Sequence, residues 1–171
     1  KFDGYGFLPQ ERWHIWVVDI NSGQARQLSD DPVFDEEEPT WSPDGQWIVA
    51  RSNRNPDPDL TRSDNDLVLI PANGGELRVI KTPGRELKLP AGSPDGKWIA
   101  YIAQRGEGLW WQNNDLWIIP FDGSAAPRNL TIEMDASVDF TSINDLNFSG
   151  GVLVAPIWSL DSQTIFMQVS Q

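Results

Sequence analysis

The 171 residues contain no cysteine and one histidine, His14. Without thiols there can be no disulfide and no thiolate metal site, and a reducing compartment is the simpler setting. Basic residues are scarce, with 13 Lys and Arg against 25 Asp and Glu and a formal charge of −12. That balance disfavours nucleic acid as a partner, because the cations that release phosphate counterions are missing. No stretch approaches the ~18 apolar residues of a membrane span. No leader peptide is visible, and no window carries a helical period. What the chain does have is nine Trp and seven Phe, spaced by frequent Pro and Gly.

It also repeats itself. Trp41-Ser42-Pro43-Asp44-Gly45-Gln46-Trp47-Ile48 returns as Gly92-Ser93-Pro94-Asp95-Gly96-Lys97-Trp98-Ile99, and in worn form as Trp158-Ser159-Leu160-Asp161-Ser162-Gln163-Thr164-Ile165. The serines are 51 and 66 residues apart. Two other landmarks keep step. Apolar runs ending in small turns recur at Ile15 to Asp19, Leu67 to Pro71 and Leu116 to Pro120. Short segments then follow at Arg26 to Leu28, Arg78 to Ile80 and Arg128 to Leu130. Fixed-period self-similarity of this kind marks stacked copies of one supersecondary unit.

Each copy reads as four short strands. Strand A runs from Pro39 to Ser42 and ends in the Ser-Pro-Asp-Gly turn, where Pro presets φ and Asp and Gly accept the dihedrals that follow. Strand B, Gln46 to Ser52, is rich in residues that suit a pleated surface. Strand C, Leu67 to Pro71, is a continuous apolar run of the kind buried on both faces. Strand D, Leu77 to Ile80, is more polar, as an outer edge should be. Four antiparallel strands at a period near 50 predict an all-β fold, a partial β-propeller. Residues 1–38 form a partial blade (strands C and D, with Lys1 to Tyr5 as the end of a B strand), 39–88 a complete blade, 89–153 a complete blade with a long connecting loop, and 154–171 a partial blade with strands A and B. Two whole and two half blades fall short of the roughly 4 to 8 that close a ring, so the chain is expected to be a piece of a larger propeller. Its unpaired strand edges should favour self-association.

The Trp-Ser-Pro-Asp-Gly-x-Trp-Ile turn, followed by Asp115-Leu116-Trp117-Ile118-Ile119-Pro120 and Arg128-Asn129-Leu130-Thr131, resembles the propeller repeat of the prolyl oligopeptidase family of serine peptidases, in particular its acylaminoacyl-peptidase and dipeptidyl-peptidase-like members. TolB periplasmic proteins carry a similar turn and are the second resemblance. Lys1 to Gly6, the uneven steps between copies and the loop Arg105 to Trp111 favour the peptidases. The resemblance implies a propeller that caps an α/β-hydrolase domain of the same polypeptide, admits short peptides and needs no cofactor. It further implies a cytoplasmic location, or a periplasmic one if the chain is TolB-like. No catalytic residue carries over. There is no Gly-x-Ser-x-Gly elbow, since Gly92-Ser93-Pro94-Asp95-Gly96 places its serine one position early in a repeated turn.

Blade topology puts the tight A–B and C–D turns on one rim and the long B–C and D–A connections on the other. Long irregular connections commonly carry function, so substrate-binding candidates are sought there. They are Glu36 and Glu37 in the acidic run 35–38, Arg105, and Trp110 and Trp111. In dipeptidyl-peptidase relatives an acidic propeller residue binds the substrate's amino terminus. The plainer reading of 35–38 is a solvated acidic loop at a blade junction. Asp57, Asp59, Asp64 and Asp66 crowd one loop but lack the glycine and glutamate of a calcium loop, so turn formation explains them better and no metal site is assigned. Asp44, Asp95 and Asp161 read as turn residues and His14 as structural. Asn129 and Asn147 lie in glycosylation-like triplets, a pattern too short to carry weight.

Overall fold

A computed structural model describes residues 11–61, 63–83, 86–106, 112–138 and 154–169. The expected strand at Lys1 to Tyr5, together with Trp110, Trp111 and Asn147, lies outside them. The described residues form β1 (Trp16–Val18), β2 (Ala25–Gln27), β3 (Glu37–Trp41), β4 (Trp47–Ser52), β5 (Asp66–Pro71), β6 (Arg78–Ile80), β7 (Lys88–Gly92), β8 (Trp98–Gln104), β9 (Asn114–Pro120), β10 (Arg128–Asn129), β11 (Ile157–Trp158) and β12 (Ile165–Phe166). They make two four-stranded antiparallel sheets, β3-β4-β5-β6 and β7-β8-β9-β10. A two-stranded sheet stands at each end, β1-β2 and β11-β12. We number the four sheets I to IV in chain order. The all-β fold class and the two complete blades with half blades at each end match the sequence reading.

Period-2 alternation explains the stacking. A strand buried on both faces sends successive side chains to opposite neighbours. On β5, Val68 and Ile70 turn towards blade I, while Leu67 and Leu69 turn towards blade III. On β8, Ile99, Tyr101 and Ala103 meet blade II, while Ala100 and Ile102 meet blade IV. A leucine- or isoleucine-sized side chain contributes roughly 1.5–3 kcal/mol when buried, so these three interfaces hold the stack together.

The A–B turns are built alike. Ser42 Oγ donates to Asp44 Oδ1 at 2.6 Å and accepts from Trp47 N at 2.9 Å. Ser93 repeats this with Asp95 (2.6 Å) and Trp98 N (3.0 Å), and Ser159 with Asp161 (2.6 Å) and Thr164 N (2.9 Å). The residue closing each turn has positive φ: Gly45 at 68°, Gly96 at 72° and, in the worn copy, Ser162 at 59°. Asp44, Asp95 and Asp161 are held below the ordinary carboxylate range, first by the hydroxyl of Ser42, Ser93 or Ser159 and then by a backbone N–H. A second repeated device crosses each complete blade: the Arg78 guanidinium lies over Trp47 at 4.4 Å, and Arg128 over Trp98 at 5.3 Å.

The opposite rim carries the B–C and D–A connections. There both A strands are bulged, with register shifts between Glu37 and Thr40 and between Lys88 and Ala91. The equivalent residues Glu38 and Leu89 both adopt φ 55°. Strand A itself begins at Glu37, two residues earlier than the sequence suggests, so half of the acidic run is strand rather than loop.

Candidate functional site

Register identifies equivalent positions in the blades. Glu37 pairs with Arg51 as Lys88 pairs with Ile102, so Glu36 corresponds to Leu87. Glu36 N donates to Trp13 O as Val138 N donates to Asn114 O, which adds Val138 to the set. Leu87 and Val138 are buried apolar residues, and Glu36 is buried just as deeply, at 1% exposure. A carboxylate therefore occupies a core position. It is not the solvated acid that a charge run suggests.

Burying a charge is costly unless it is paired and hydrogen-bonded. Glu36 Oε1 accepts from the Arg54 guanidinium, and Glu36 Oε2 lies 3.2 Å from His14 Nδ1. Arg54 also approaches Asp31 at 4.0 Å, and its guanidinium covers the Phe34 ring at 4.7 Å. His14 is therefore a partner of the buried acid and its role is structural. Arg12 donates to both Asp59 oxygens at 2.9 Å and to Asp35 at 3.3 Å. The Asp59 bonds push the Arg12 pKa above its ordinary value.

Beside this cluster lies an open cleft of about 500 Å³ at the junction of blades I and II. Trp13 and Trp16 wall it, and Glu37, Glu38 and Arg51 supply its polar lining. Arg51 pairs with Glu37 at 2.8 Å and Glu38 at 3.2 Å. Glu38 Oε2 also accepts from Leu89 N at 2.5 Å, tying the bulge of blade II to that of blade III. Exposed aromatic rings beside carboxylates suit an amino group joined to an apolar body.

Of the candidates, Glu36 and Glu37 come together at this cleft, Glu36 as its buried support and Glu37 at its surface. Arg105 sits on the same rim of blade III. Its guanidinium donates to both Asp115 oxygens at 2.8 Å and to the carbonyls of Ile132 and Met134. Asp115 also accepts from Asn129, whose amide is thereby engaged within the fold. Asp59 is taken by Arg12, and Asp66 by Lys81 at 2.5 Å and Thr82 N at 3.0 Å. Sequence reading missed Arg54, Arg51 and Trp13. The signal was available in the repeat register, where a glutamate replaces the leucine found 51 positions later.

No protein-family model matches the chain. The uncharacterized peptidase YuxL of Bacillus subtilis (strain 168) is 25% identical over 54% of this chain, which spans 18% of that protein's length. Among solved structures, TolB from Acinetobacter baumannii superposes with a TM-score of 0.62 at 19% identity, over 89% of this chain and 31% of its own. A puromycin hydrolase gives 0.59 at 16%, over 94% and 24%. An oligogalacturonate lyase in complex with manganese gives 0.63 at 13%, over 93% and 39%. The chain is a run of β-propeller blades. The resemblance to peptidase-associated propellers, with TolB-like repeats second, is borne out, while likeness at 13–19% identity establishes the fold alone.

Proposed function

We propose that this chain is a non-catalytic propeller segment of a serine peptidase, which gates and positions short peptides for an α/β-hydrolase domain of the same polypeptide. The observation that carries the reading is the cleft at blades I and II, where a buried glutamate at a core position supports a polar floor between tryptophan walls. The similarity to a Bacillus protein named as a peptidase supports the same class. In this reading Glu37, with Arg51 beside it, receives the amino terminus of a peptide, and Glu36 positions the floor through Arg54 and His14. Arg105 sits on the same rim one blade further on, and the remaining candidates, Trp110 and Trp111, lie outside the described residues. The rim faces the hydrolase, whose Ser-His-Asp group performs the acyl transfer. The stacked blades refuse folded proteins.

Titration of the chain with short peptides, followed by tryptophan fluorescence, tests the reading. Peptides with a free amino terminus should bind, and N-acetylated ones more weakly. Glu37→Gln should remove that difference. Peptide hydrolysis by these residues alone would overturn the proposal, as would a full-length structure with the hydrolase docked on the tight-turn rim. Binding of a folded protein and of no peptide would move the chain to the alternative, a TolB-like protein-binding propeller without enzymatic activity. That alternative shares the blade architecture seen in the superposition on TolB.

A further inference from the structure

On the tight-turn rim, the junction of blades II and III lacks two side chains that close the junction of blades III and IV. At the later junction Ser162 Oγ accepts from Asp95 N at 3.0 Å, and Trp158 Nε1 donates to Ala91 O at 3.1 Å. The repeat puts Gly96 where Ser162 stands and Gly92 where Trp158 stands. The earlier junction therefore has neither the hydroxyl nor the indole. A carbon added at Gly96 meets nothing within 4 Å. An open cleft of about 450 Å³ lies there, between the two complete blades. Asp44, Arg78, Asp95 and Gly96 line it, with Pro43 and Phe121 as apolar walls. Its volume falls within the roughly 300–1,000 Å³ of small-molecule sites.

The polar groups of this cleft are held ready by the fold. Arg26, the blade I equivalent of Arg78, donates to Ala72 O of the next blade at 2.6 Å. Arg78 instead lies over Trp47 at 4.4 Å and keeps its guanidinium at the cleft. The turn bonds of Asp44 and Asp95 all use Oδ1. Oδ2 of Asp44 is thus left for a ligand, while Oδ2 of Asp95 has Lys97 Nζ 3.5 Å away. Two carboxylates are matched by two cations, so the set selects neither an anion nor a cation. It sets donors beside acceptors. An alcohol hydroxyl serves both, because it donates one hydrogen and accepts on two lone pairs. Ser162 shows the fold placing such a hydroxyl on the equivalent backbone N–H one blade later.

We propose that this cleft binds a neutral saccharide, one of whose hydroxyls accepts from Asp44 N in the place that Ser162 fills at the next junction. A neighbouring hydroxyl donates to Asp44 Oδ2, another accepts from Arg78, and the C–H face of the ring rests on Phe121 and Pro43. Few polar groups that fix orientation beside an apolar wall are the usual make-up of a small-ligand site. The cleft is on the rim opposite the one assigned to peptides, so it does not rest on the peptidase reading and either can fail alone.

Calorimetric titration and saturation-transfer NMR of the 171-residue chain with cellobiose, maltose, lactose and sucrose test the proposal, with galacturonate and glucosamine as charged controls. At least one neutral sugar should bind, and more tightly than either control. Gly96→Ser supplies the hydroxyl from within and should weaken that sugar about tenfold, the worth of one good hydrogen bond. Its thermal midpoint should lie above that of Gly96→Ala, which adds the same carbon at φ 72° without the hydroxyl. Binding of none of the four sugars, tighter binding of a charged control, or undiminished binding by Gly96→Ser would overturn the proposal. So would a Gly96→Ser midpoint no higher than that of Gly96→Ala, because Asp44 N would then have no place for a hydroxyl.

Discussion

The two rims of this propeller are built on opposite plans. On the tight-turn rim, three copies of one turn are each closed by the same serine–aspartate–backbone bonds within a few residues. On the long-loop rim, equivalent positions do different things. The arginine beyond strand B reaches Glu36 in blade II (Arg54) and Asp115 in blade III (Arg105). The residue immediately before the first core side chain of strand C (Ile15, Leu67 or Leu116) is likewise variable in its partners: His14 serves Glu36, Asp66 binds Lys81, and Asp115 binds Arg105. The position ahead of strand A holds Glu36, Leu87 or Val138. A turn closed by its own atoms places no demand on its neighbours and survives repetition. A side chain that reaches the next blade is free to diverge, and the chemistry that distinguishes one blade from another collects there.

The largest expected effect comes from breaking the rim that has diverged. Glu36→Ala leaves Arg54 and His14 around a lost carboxylate, and urea denaturation should show a loss of about 3–5 kcal/mol, the usual cost of removing one member of a buried pair. Glu36→Leu combined with Arg54→Met should recover most of that loss, because Leu87 and Val138 already fill the equivalent sites. A neutral Glu36→Ala would mean the two rims do not differ in this way.

Why the sequence discloses one rim better than the other follows from the same contrast. Ser42, Asp44 and Gly45 are dictated by a local turn, so their recurrence is visible in the chain and yields the blades and nearly all strand limits. Glu36 is dictated by Arg54, 18 residues on, and by His14, 22 residues back. In a linear reading it is one of four consecutive acids and looks solvated. Only after the bulge at Glu38 and the register to Arg51 are known does it fall into a column with leucine and valine. Arg105 looks like a free cation in a long loop, and its engagement by Asp115 depends on the pairing of β8 with β9.

The conserved plan of the turns can be sharpened by smaller changes. Gly45→Ala and Gly96→Ala should each cost about 1 kcal/mol, because an L side chain at positive φ is strained while nothing lies within 4 Å of either added carbon. Equal costs would confirm that the copies are interchangeable. The worn copy should behave differently. Ser162→Gly relieves the strain at φ 59° but removes the hydroxyl that accepts from Asp95 N at 3.0 Å, so its net effect should be near zero. Ser162→Ala loses the bond without the relief and should cost about 1 kcal/mol. Thermal midpoints of the four variants would rank them.

Acid supplies the smallest test and reads the tight-turn rim alone. The three turn aspartates have carboxyl pKa values below the ordinary 3.8, held there first by Ser42, Ser93 and Ser159. A group depressed in the folded state stabilises it above the unfolded pKa, and that contribution fades as pH falls through the folded value. These turns should therefore begin to lose stability only below about pH 4. Asp44→Asn, Asp95→Asn and Asp161→Asn together should flatten the decline of the denaturation midpoint in that acid range and leave the profile near neutrality parallel to the parent's. If the triple variant instead follows the parent's acid profile, the turn aspartates do not set the acid sensitivity and this account of the turns fails.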